Sequence, residues 1–98
     1  MNGSLQIGGL EEILDGLKAA RSKFEDTHLR LQERYKVLFG ECVAAQTNKN
    51  KPQATIYANE CAEVKKLSRA FGQIISNLDQ AIKILEKIPS NPTPVNDF

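Results

Sequence analysis

The sequence predicts an all-α protein: a long antiparallel two-helix hairpin, coiled-coil-like, packed against another copy of itself. Three observations predict it. Apolar residues recur every seven positions on both sides of a short polar stretch, no segment shows the strict alternation of a strand, and that stretch, TNKNKP, lies near the middle of the 98 residues.

The first helix is written by Leu10, Leu17, Phe24, Leu31, Leu38 and Ala45, with Leu14, Arg21, His28, Tyr35 and Cys42 four positions after the first five. This seam predicts a helix over about 10–46, roughly 55 Å long at 1.5 Å per residue. Gly8 and Gly9 close a flexible N-terminus, 1–9, as a loose entry. Gly16 and Gly40 fall inside the helix, each costing about 1 kcal/mol against alanine. In the second half, Tyr57, Val64, Phe71, Leu78 and Leu85 form one row, and Cys61, Ser68, Ile75 and Ile82 the row beside it. They predict a helix over about 53–88, stopped by Pro89 because the residue before a proline avoids the helical region.

The tip, 47–52, holds Asn48, Lys49, Asn50, Lys51 and Pro52. Asparagine and proline are turn formers, and so short a connection joins antiparallel neighbours. Pairing outward from it sets Leu38 near Cys61 and Val64, and Leu17 near Ile82. Residues 89–98 read as a proline-containing tail, extended or disordered.

Composition excludes several classes. Thirteen bases against twelve acids give a net charge of +1, with no tryptophan. Neither the basic excess nor the aromatic platform of a nucleic-acid binder is present. No stretch is apolar enough to span a bilayer, and the N-terminus lacks the basic flank and apolar run of a signal peptide. Cys42 and Cys61 have no ligand spacing, so neither metal nor cofactor is expected; they read as buried, reduced thiols, or as a pair that the hairpin brings together in a bridge. The single histidine, His28, has no nucleophile within reach, and adjacent carboxylates such as Glu25 and Asp26 point apart on a helix. An enzyme is therefore not expected.

Two surface features remain. Lys23, Arg30 and Arg34 project from one side of the first helix, either as a solvated face or as a contact for an anionic membrane or for assembly. A third apolar row on the second helix, Leu67, Ile74, Ala81 and Ile88, widens its greasy face beyond what one partner helix covers. Phe39 and Val43 lie off the seam of the first. Exposed apolar surface marks interaction sites, and these six residues are the expected self-association interface.

The stretch LQERYKVLFGECVAAQTNKNKPQATIYANECAEVKKLSRAFGQIISNLDQAIKILEKI resembles the ESCRT-III (Snf7-like) superfamily, in particular archaeal cell-division proteins of the CdvB type. The residues that carry it are Arg34, Lys36 to Phe39, Cys42 to Gln46, and ATIYANECAEVKKL from Ala54. The resemblance implies that this hairpin is the first two core helices of such a protein, polymerising with itself and with other ESCRT-III-like subunits. It implies membrane remodelling and scission in archaeal division, peripheral at the inner face of the cell membrane. Lys23, Arg30 and Arg34 would face anionic lipid, directly or through a recruiting protein. Members continue into shorter helices and a C-terminal motif for an AAA ATPase, so that docking is expected only through segments beyond those written here. The rival reading is a coiled-coil adaptor that binds a partner helix without polymerising.

Overall fold

The computed structural model describes residues 8–89. Helix α1 runs Gly8–Thr47 and helix α2 Lys51–Glu86, packed side by side along their lengths. Among the described residues there is no strand. The expected N-terminal segment and tail lie outside the described residues, except for Gly8, Gly9 and Pro89. The two glycines are the first residues of α1 and not a loose entry. Once a helix is nucleated, each further residue adds a hydrogen bond, which carries it back through them.

The tip is shorter than expected, because Lys51 and Pro52 belong to α2. The Asn50 side chain caps that helix, its oxygen accepting from the Gln53 N–H at 3.2 Å. Pro52 sits in the first turn, where its missing N–H costs nothing. The end of α1 is closed by two backbone bonds, Asn50 N–H to Ala45 O at 2.8 Å and Lys49 N–H to Gln46 O at 3.0 Å. This is the Schellman arrangement, and Lys49 takes the left-handed conformation (φ 59°) where glycine is usual. At the other end α2 stops at Glu86, before the Ile88 that the heptads reach. Ile88 precedes Pro89, and its N–H bonds the Leu85 carbonyl in a tightened last turn.

The core is a thin strip: Leu38 and Ile82 (each 2 % exposed), with Ala45, Ala54 and Cys61. Near the tip the buried side chains are small, which lets the helices approach closely. At mid-length the gap is filled by Phe24 against Phe71, ring centroids 5.4 Å apart. The polar intruder Arg21 is matched from α2: its guanidinium donates to Asp79 Oδ1 at 2.7 Å, and Lys83 holds the other Asp79 oxygen at 3.2 Å. The hydrogen bond from Lys83, joined by the charge of both bases and the bond from Arg21, holds the Asp79 carboxyl below its ordinary value. Lys18 and Glu86, 3.1 Å apart, add a second clasp near the open end.

A cheap stabilisation follows from α1. A Cβ added at Gly16 or Gly40 meets nothing within 4 Å, so alanine there removes only the conformational freedom of the unfolded chain. Gly16→Ala and Gly40→Ala should each add about 0.5–1 kcal/mol, read as a rise in urea midpoint at unchanged slope.

Candidate assembly surfaces

Two helices side by side leave two broad faces. On one, Tyr35, Phe39 and Cys42 line a groove with Ala58, Cys61 and Lys65. The same face continues away from the tip through His28, Leu29, Lys36, Arg69 and Gly72. On the other, Arg34 and Leu38 meet Glu60, Glu63 and Val64, and Glu41 stands nearer the tip beside Gln53 and Tyr57. We call these the lysine face and the glutamate face.

The sevenfold spacing extends both. Leu67, Ile74, Ala81 and Ile88 follow Glu60 in steps of seven, so they lie on the glutamate face, as do Ile56 and Ile84 in step with Glu63. Val43 follows Lys36 by seven and joins Phe39 on the lysine face. The six residues expected to form one interface are therefore divided: Phe39 and Val43 on one side of the hairpin, Leu67, Ile74, Ala81 and Ile88 on the other. The reason is angular. Phe39 is one residue past the Leu38 row and Leu67 three past the Val64 row, so at about 100° per residue they swing opposite ways around their helices. The antiparallel sense of the pair decides which flank of α2 shares a face with which flank of α1. Ala81 is half-buried; the other five are exposed, Phe39 at 55 % and Leu67 at 51 %.

Lys23, Arg30 and Arg34 are all exposed on the glutamate side of α1. They do not form a uniform basic surface, because Arg34 shares its groove with Glu60 and Glu63. A second basic group escaped the sequence reading. Lys36 from α1 and Lys65 and Arg69 from α2 meet on the lysine face, with the Lys65 ammonium 5.8 Å from the centre of the Tyr35 ring. No spacing within either helix shows it, since the group exists only across the pair. Asp79 was missed for the same reason.

The seam holds two further polar features. His28 packs near Gly72, and its Nδ1 is the buried side-chain nitrogen that has no hydrogen-bond partner among the described residues. Both cysteines are free, Cys61 buried and Cys42 half-buried. Cys42 donates to the Ala54 carbonyl at 3.4 Å. Burial, with lesser contributions from Cys42 and Glu60, pushes the Cys61 thiol up. The shift favours the thiol over the thiolate, which is the nucleophilic form.

These are surfaces for contact, and comparison with known proteins bears on what they contact. The chain is 39 % identical over 59 residues to cell division protein B1 of Sulfolobus acidocaldarius. A relation to an archaeal cell-division protein is thereby supported. The match takes in 60 % of this chain and 28 % of that protein, so the chain spans well under half of its relative's length. No family profile matches the chain, and no solved structure matches it significantly.

Proposed function

We propose that this chain is a non-catalytic structural subunit of an ESCRT-III-like polymer that assembles on membranes and remodels them during archaeal cell division. The observation that carries this reading is the presence of exposed apolar side chains on both faces of the hairpin. A two-fold dimer buries the same patch on both partners, so whichever face it uses, the other stays in water. Stacking one face on the opposite face covers both, and such contacts run on as an open array unless a rotation closes them into a ring.

The division process comes from the relation to the archaeal protein, and the membrane from the resemblance carried by the tip and the head of α2. No helix among the described residues is long and apolar enough to cross a membrane. Contact with the inner face of the cell membrane is then peripheral, through Lys23 and Arg30 on the outer side of α1 or through a recruiting protein. Each base near an anionic leaflet contributes about 1 kcal/mol, and an array multiplies that contact by avidity. Other subunits of the same kind are its partners.

Light scattering over a concentration series, with and without vesicles containing anionic lipid, tests this. Scattering should keep rising with concentration, and the protein should sediment with the vesicles at low salt. A plateau at dimer mass would overturn the polymer and favour the adaptor.

A further inference from the structure

The groove of the lysine face brings together Lys36, Lys65 and Arg69, with Glu33 as its one acid. The glutamate face carries Glu60 and Glu63 against Arg34, with Glu41 a little nearer the tip. Ion pairs among the described residues join Lys18 to Glu86, Arg21 to Asp79, Lys36 to Glu33 and Lys83 to Asp79. Lys65, Arg69, Glu60 and Glu63 therefore have no ionic partner within the described hairpin, and the Lys36 pair is loose at 3.9 Å.

The two patches also stand at similar heights on the rod. The cross-helix neighbours Arg21 and Asp79, His28 and Gly72, and Tyr35 and Lys65 fix a common scale. On it Arg69 is level with Leu31 and Lys65 with Tyr35, while Glu63 is level with Val37 and Glu60 with Gly40. The acids lie about one helical turn nearer the tip than the bases. Two copies pointing the same way, shifted by about a turn, bring acids over bases and still overlap along almost their whole length. The same shift lifts Leu67 of one copy to the height of Leu29 of the other, and Ile56 to the height of Phe39. Charge and apolar surface thus call for one displacement.

We propose that the Lys36–Lys65–Arg69 patch is the socket for Glu60 and Glu63 of a second copy of this chain, so that the lysine face of each hairpin takes the glutamate face of the next. This rests on the polymer reading and adds to it which faces meet and what selects them. Two lysine faces repel, and that repulsion disfavours a closed dimer through them that would end growth. It also takes this basic patch away from lipid. The contact is ionic at its centre, so salt weakens it.

The test is a charge exchange in the full 98-residue chain. One variant carries Lys65→Glu with Arg69→Glu, the other Glu60→Lys with Glu63→Lys. All four side chains are exposed, and circular dichroism checks that each variant stays helical. Each alone should need at least tenfold more protein than wild type to sediment as an assembly, because a reversed patch meets its like. An equimolar mixture should regain assembly as an alternating stack. Wild-type assembly beside a mixture that stays dispersed, or single variants that assemble as wild type does, would overturn the charge pairing alone. Wild-type chains that never assemble would overturn the polymer reading from which it starts.

Discussion

Leu67→Asp combined with Ile74→Asp abolishes assembly and leaves the hairpin folded. Both side chains are exposed in the single hairpin, at 51 % and 37 %, so the fold loses little when they change; exposed positions tolerate substitution within about 0.5 kcal/mol. In a stack they lie under the next copy. There each loses the roughly 1.5–3 kcal/mol that burial of a large aliphatic side chain contributes, and an unpaired carboxylate takes its place, which costs more to dehydrate. Every contact along an array carries the change, so the concentration needed for assembly should rise at least a hundredfold. Sedimentation reads that rise, and far-ultraviolet circular dichroism reads the helices. Gln80→Asp is the control, since Gln80 is exposed and its place in the sevenfold pattern sets it at the back of α2, away from both faces. Unchanged pelleting of the double variant would remove the glutamate face from assembly. Loss of pelleting in the control would show that added charge, and not its place, is responsible.

What the sequence made legible was whatever a single helix encodes. The leucine row from Leu10 to Leu38 and the row from Tyr57 to Leu85 fix two seams, and the turn residues Asn48, Asn50 and Pro52 mark the break between them, though the second helix begins at Lys51, two residues before the expected start. Arg21 was visible as a charge inside a seam, but its partner Asp79 was not. Pairing across an antiparallel hairpin depends on register, and a shift of three or four residues would bring up another neighbour. A second relation that exists only between the helices, which flank of α2 shares a face with which flank of α1, hid the Lys36, Lys65 and Arg69 group and merged Phe39 and Val43 with Leu67 and Ile74. Phe39, Val43, Leu67 and Ile74 were recognised as lying off their seams; to which side of the pair each turned was not written in its own helix. Lys49 is a different case. Its left-handed backbone is imposed by the two bonds that close α1, at a position where composition alone points to glycine or asparagine.

Register also governs stability, and Leu38 measures it. Leu38 is 2 % exposed and lies towards the tip of the hairpin, with Val64 beside it across the seam. Leu38→Ala removes the largest side chain from a strip whose other buried members near the tip, Ala45, Ala54 and Cys61, are too small to fill the space. Such truncations cost about 2–5 kcal/mol. A domain of this length has only about 5–10 kcal/mol in all, and two helices with one thin seam belong at the low end. The melting temperature should fall by roughly 10 °C or more. Val37→Ala, one residue away and 55 % exposed, should change it by no more than a few degrees. Equal effects from the two would mean that the seam does not run through Leu38. Concentration adds a second readout. If stacked copies bind only the folded hairpin, mass action returns part of the loss, so the Leu38→Ala melting temperature should climb with protein concentration more steeply than that of a chain also carrying Leu67→Asp and Ile74→Asp. Parallel curves for the two would mean that the glutamate face contributes nothing to the stability of the assembled state.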